Sequence, residues 1–244
     1  MVGVRTDSPI SAALVSWGNA WLTGHAGLDD AVDALERSAG PQIVTDITGE
    51  SPLRVFLAEL RATGLSSFRL ALPIPGDLLG LTGPPVFNGA ALEAGQAVIA
   101  VLGTRRFGLV PSPDRRGSSY SGIRWTVHDA HAADADVPQL ADAERALSAA
   151  MRSATDALTS VDGPMQGFPA LDHVDGALAP GYPGRAHRVG HLAARLSLAL
   201  RLAEERGLTS GQVTARREAL KALDHAVRRA RVAAHHAILE QLSA

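Results

Sequence analysis

Two histidines one helical turn apart, His187 and His191, come nearest in this sequence to a ready-made metal clamp. Spacing of i, i+4 puts both on one face of a helix, where two imidazoles can grip one transition-metal ion. A full site needs further ligands, and position 188, between them, is arginine, which repels a cation. His128-Asp-Ala-His131 and Asp172-His-Val-Asp175 offer other donors, but 9 histidines in 244 residues make such pairs common by chance. Neither a metal nor a cofactor is expected. Cysteine is absent, which removes thiolate metal sites and thiol nucleophiles together. Serine offers no alternative, because Gly117-Ser-Ser-Tyr-Ser-Gly122 lacks the strand-to-helix setting of a nucleophile elbow. The glycines at 76, 80 and 83 lack the lysine and the βαβ frame of a phosphate cradle. These absences exclude the commonest nucleotide-using and hydrolase families and leave other enzymes open.

What remains is binding by residues on long loops. Segments 73–89 and 162–184 are rich in Gly and Pro, and both exceed the usual ceiling of roughly 12–15 residues for a loop without a role. Apolar members such as Leu79, Phe87, Phe168 and Leu178 argue against plain disorder. Such loops either cover the sheet and helix ends or act as a lid. Asp77, Asn88, His187 and Arg188, with Phe87 as apolar wall, are the candidate lining of a small-molecule pocket between a sheet and a helical half. Arg188 would favour an anion. In a third loop, 111–122, Arg115 and Arg116 beside Ser118 and Ser119 could also hold one, although a mobile hairpin tip is expected there.

The elements that must position these residues follow from periodicity. With 46% hydrophobic and 20% charged residues, the chain has the composition of a folded globular protein. Helical spacing runs through 8–38, broken at Gly24 to Gly27, and through 51–63, with Ser8-Pro9 and Ser51-Pro52 as starts. Segments 67–72, 96–102, 107–110 and 122–128 read as strands, the last with Ile123, Trp125 and Val127 inward and Arg124, Thr126 and His128 outward. Short links predict a small antiparallel sheet or open barrel. From Pro138 the pattern is helical: 139–161, then 185–206 and 210–243, joined at Gly207 with a Thr209/Gln212 capping box. The expected class is α+β, with an α+β domain over 1–137 and a helical portion over 138–244 ending in a long αα-hairpin.

The segment from Pro73 through Asp77, Asn88 and Glu93 to Val98, with Arg106-Phe-Gly-Leu-Val-Pro111, resembles a family of uncharacterised actinobacterial proteins. That resemblance implies a lineage and no chemistry, so it transfers no functional residue.

Charge is unevenly spread. Residues 1–184 hold 12 basic and 20 acidic side chains, net −8, while 185–244 hold 11 and 5, net +6. A basic hairpin can follow phosphates, but no aromatic residue follows Tyr182 to stack on bases. Docking of the hairpin on the acidic body is expected, and nucleic acid is not an expected partner. The opening Met1-Val-Gly-Val-Arg-Thr-Asp7 carries an early acid and no apolar leader stretch, and no apolar run suits a bilayer, so a cytoplasmic protein without membrane association is expected. The leading functional expectation is a non-catalytic interaction or regulatory protein. Leu198 and Leu202 motivate it, lying opposite the Val189, Leu192, Leu196 and Leu200 stripe, so that a protein partner or a second copy would cover that face. The alternative is a small-molecule binder or enzyme using the pocket described above.

Overall fold

The computed structural model describes residues 8–117, 120–133, 136–159, 177–205 and 213–240. Helices α1 (Ile10–Leu22) and α2 (Leu28–Ala39) lead into strands β1 (Gln42–Asp46) and β2 (Gly49–Pro52), then α3 (Leu53–Ala62), β3 (Leu65–Ala71) and α4 (Pro85–Ala94). Three consecutive strands follow, β4 (Ala97–Leu102), β5 (Arg105–Arg116) and β6 (Tyr120–Ala130), and then α5 (Leu140–Thr159), α6 (Gly184–Glu205) and α7 (Val213–Glu240). The strands form one open sheet in the order β2-β1-β6-β5-β4-β3, antiparallel except where β1 runs beside β6. The architecture is α+β: N-terminal helices on a six-stranded, mostly antiparallel sheet, followed by a portion of three helices.

Both faces of the sheet are covered. Phe68 and Leu70 of β3, Val98 and Ala100 of β4, Leu109 of β5 and Trp125 of β6 meet α1, α2 and α3 on one face. Ala71, Ile99 and Val110 meet Phe87 and Ala91 of α4 on the other. β4 lies between β3 and β5 and is buried along its whole length, which is why it reads as the continuous run Ala97-Val-Ile-Ala-Val-Leu102. A second core joins α5, α6 and α7, with Ala20 of α1 included in it. Helix α1 therefore touches the sheet on one side and the helical portion on the other. It has almost no polar stripe, as a helix enclosed all round must.

Two strands and a helix were not expected from the sequence. β1 and β2 total nine residues, and Gly49-Glu-Ser-Pro52 has no strand propensity; pairing with β1 makes it a strand. Helix α4 begins inside the segment read as a loop, with Pro85 at its first position. The third loop is mostly strand: β5 and β6 pair from Arg106–Ala130 to Arg116–Tyr120. Pro111 and Pro113 lie beyond the last β4 pair, Val98–Leu109, where one edge of β5 can do without N–H donors. Ser8 and Ser51 do not cap, since Pro9 and Pro52 take the N-cap positions without a side-chain bond. The Gly207 junction with its capping box and most of segment 162–184 lie outside the described residues.

The outer edge of β3 is closed by helices. Asn19 of α1 donates from Nδ2 to the Phe68 carbonyl (2.8 Å) and accepts the Phe68 N–H at Oδ1 (2.7 Å), as a neighbouring strand would. Two residues on, the Leu70 N–H donates to Nε2 of His236 on α7 (2.7 Å), and Arg228 on α7 donates to the Leu72 carbonyl (2.9 Å). An exposed edge would leave these groups as a template for another chain. Here they weld the helical portion to the sheet. Acidic residues outside the basic hairpin answer it: Arg228 pairs with Asp77, Arg229 with Asp136, and Arg185 with Glu144 of α5.

Candidate functional site

A cavity of about 580 Å³ opens at the junction of the sheet and the helical portion, within the usual size of a small-molecule site. The first turn of α1 supplies one wall, the proline-bearing edge of β5 with the start of β6 a second, and Arg231 and His235 of α7 a third. This follows from the topology. β4 begins only at Ala97, just after Gln96 in the wall, so β5 runs on past it and leaves a gap that α1 and α7 roof. Gln96 also accepts the Ser11 N–H at Oε1 (3.0 Å), supplying the cap that Pro9 cannot.

The polar chemistry is concentrated on α7. Arg231 is only 5% exposed and donates from Nη2 to Ser8 Oγ (2.9 Å). His235, 7% exposed, lies one turn further along the same helix face. Its Nδ1 lies 2.7 Å from the Arg231 carbonyl, which can only accept, so Nδ1 carries the proton and Nε2 is the acceptor. Burial, aided by the Arg231 charge, pushes the His235 pKa down to about 4 against one opposing hydrogen bond, so the ring is neutral at pH 7. Nε2 has no hydrogen-bond partner among the described residues. The Tyr182 hydroxyl donates to the His235 carbonyl (3.0 Å) and fixes this turn of α7 from behind. On β5, Arg115 lines the cavity while Arg116, on the other side of the strand, bonds Asp114 and Glu50. No acidic residue lines the cavity among the described residues, and none stands in the first turn of α1.

None of the five residues expected to form a pocket lines this cavity. Asp77 accepts from Arg228 (2.8 Å) and lies 3.1 Å from His225 Nδ1. Burial pushes its carboxyl up, but those two partners and the Leu79 amide hold it below its ordinary value. Asn88 accepts the Gly83 N–H (3.0 Å) and Phe87 is fully buried beside His128, on the sheet face opposite α1. His187 stands edge-on to Tyr182, and Arg188 is exposed on α6. The structure places the five in three neighbourhoods: Asp77 against α7, Phe87 with Asn88 on α4, and His187 with Arg188 on α6. Reasoning from sequence missed Arg231, His235 and Gln96, and found Arg115 only as part of a loop. His235 is buried and His236 half-buried near the C-terminal end of α7, and both are neutral, so neither acts as a cation on the negative end of that helix's dipole. Their one sequence signal is the run Val232-Ala-Ala-His-His-Ala-Ile238, too apolar on all sides for a helix exposed on one face.

The histidine pair makes stability pH-dependent. His236 accepts from Leu70 at Nε2, so it too must be neutral; burial, with the nearby His235 and Arg69, pushes its pKa down to about 3. The unfolded chain binds these protons near pH 6.5 and the folded one does not, so the stabilisation is complete above that pH and is lost as pH falls toward 4 and 3. The slope reaches about 1.4 kcal/mol per pH unit for each imidazole. His128, half-buried, shifts the same way. Carboxylates held low, such as Asp77 and Glu50, start from ordinary values of 3.8 and 4.5 and act only at lower pH. His236→Gln keeps an acceptor for Leu70 and should lower the slope of urea-unfolding stability between pH 6.5 and 5 by about half. An unchanged slope would show that His236 titrates normally.

Fold and cavity together define an α+β protein whose sheet and helical portion close over a polar chamber. The chain belongs to the Rv1486c-like protein family: the family's N-terminal domain matches residues 11–140 and its C-terminal domain residues 141–232. It is similar to the uncharacterized protein Rv1486c of Mycobacterium tuberculosis, 31% identical over 185 residues, covering 62% of this chain and 64% of that one. The uncharacterized protein ML1804 of Mycobacterium leprae is 30% identical over 196 residues, covering 62% and 66%. The match thus spans a little under two thirds of the length of these relatives. No solved structure matches the chain. Among the described residues no helix is long and apolar enough to cross a membrane, and no three histidine or acidic side chains converge as a metal site would require.

Proposed function

We propose that the protein binds a small anionic organic molecule in the cavity between its sheet and its helical portion. The charge of the wall carries this reading. Arg115, Arg231 and the positive end of α1 all face the space, in a chain where acids outnumber bases 25 to 23. Ile10, Trp17 and Ile123 supply the apolar surface that a carbon skeleton needs. Binding without catalysis fits the polar groups. No hydrogen bond joins His235 to a serine among the described residues, and a backbone carbonyl, not a carboxylate, stands behind its Nδ1.

Native mass spectrometry of freshly purified protein tests the reading. The expected result is a retained small molecule, reduced in Arg115→Gln and lost in Arg231→Gln. A bare wild-type mass, with identical melting temperatures in phosphate, citrate and chloride at equal ionic strength, would overturn it. A second reading, self-association, is favoured by α6, where Leu192 is 37% exposed and Leu196, Leu198 and Leu202 are half-buried. Sedimentation over a range of concentrations tests it. A dimer abolished by Leu192→Glu would support it, and a monomer throughout would remove it.

A further inference from the structure

We propose that the anion held in this cavity carries a hydroxyl or N–H group that donates to Nε2 of His235, so that the ligand class is a hydroxylated or amine-bearing carboxylate or phosphate. The inference rests on the function proposed above and adds to it the polarity of the second contact. Arg231 and His235, four residues apart on one helix face, offer opposite chemistry to the same space. A guanidinium has only donors, so its ligand atom must accept. The neutral His235 ring has spent its one N–H on the Arg231 carbonyl and offers only a lone pair, so its ligand atom must donate.

Arg231 cannot turn His235 into a second donor, because its own charge disfavours imidazolium beside it. The α7 face that carries both is held on two sides. Ser8 accepts from Arg231, and the Tyr182 hydroxyl donates to the carbonyl of His235. The His235 ring is only 7% exposed, so its acceptor is poorly hydrated, and a ligand lacking the donor leaves it without a good bond. A simple anion such as acetate therefore meets half of the site, and a neutral alcohol the other half.

Three matched probes separate these contributions: mandelate, which has both groups, phenylacetate, which lacks the hydroxyl, and mandelamide, which lacks the charge. Trp17 lines the cavity, so the change in its fluorescence, absent in Trp17→Phe, reports binding there. The expected result is mandelate tighter than phenylacetate by about five- to tenfold, the usual contribution of one buried hydrogen bond. That gap should close in His235→Leu and persist in His235→Gln, which keeps an acceptor. The wild-type comparison needs no variant and stands even if one misfolds. Equal binding of the two acids, both tighter than mandelamide, would overturn the inference and leave the anion site intact. Failure of all three probes to reach Trp17 would overturn the anion site as well.

Discussion

Asn19→Ala is expected to remove about 3–5 kcal/mol of stability, a large share of the roughly 5–15 kcal/mol that holds a domain folded. The side chain is fully buried in α1 and bonds both backbone groups of Phe68, whose N–H and carbonyl point away from the sheet. Truncation leaves both backbone groups of a fully buried residue without partners, at about 1–3 kcal/mol each. Water cannot simply replace the carboxamide. Gly18 lies directly against the Phe68 ring, where even a Cβ would come within 2.6 Å, so helix and strand are in contact. Asn19→Asp should fail similarly, keeping an acceptor for the N–H but facing the Phe68 carbonyl with a second oxygen. Asn19→Leu should not rescue, since the unsatisfied groups belong to the backbone. Urea unfolding gives the loss, and hydrogen exchange at Phe68 and Leu70 locates it at the β3 edge. A loss below about 1 kcal/mol with unchanged exchange would mean that β3 is closed by other means.

That edge shows what the sequence could and could not reveal. The alternation of Ile123, Trp125 and Val127 against Arg124 and His128 gave the two faces of β6 correctly, because a strand period of two survives in the letters. Helices α1 and α3 and the wholly apolar β4 were legible for the same reason. β2 was not, because its four residues are a strand only by pairing with β1. Nor was α4, whose Pro84-Pro85 start looks like a loop until Phe87 and Ala91 are seen to meet the sheet. Polarity was the more serious obstacle. Asn19, His235 and Arg231 are polar letters in buried places and His236 in a half-buried one, and nothing local distinguishes them from surface residues.

The cavity illustrates the same limit on a larger scale. Its walls come from sequence positions as distant as Ser8, Gln96, Arg115 and Arg231, brought together because β5 outruns β4 and because α7 docks along β3. Sequence reasoning expected a pocket between sheet and helices and favoured an anion, but it drew the lining from the loop 73–89 and the start of the helix at 185–206. That loop serves other ends: Asp77 anchors Arg228, and Asn88 holds the turn at Gly83. Arg115 was within reach, since a strand sends neighbouring arginines to opposite sides and only one of Arg115 and Arg116 could join Glu50 and Asp114.

Gly108→Ala is expected to cost about 3 kcal/mol, although alanine normally improves on glycine inside a strand by about 0.5–1 kcal/mol. A Cβ on Gly108 would lie 2.2, 2.4 and 2.5 Å from three ring atoms of Phe87. That ring is fully buried between β5 and α4, so it cannot swing into solvent, and α4 must lift from the sheet instead. Phe87→Ala alone should cost about 3–5 kcal/mol through the cavity it leaves. The two changes should not add. With the ring gone, the methyl at 108 meets empty space and fills part of it, so the double variant should be more stable than the sum of the singles predicts by at least about 2 kcal/mol. The four proteins of this cycle, unfolded in urea, give the coupling directly. A neutral Gly108→Ala, or strict additivity, would show that α4 rests loosely on the sheet and that Phe87 does not hold it there.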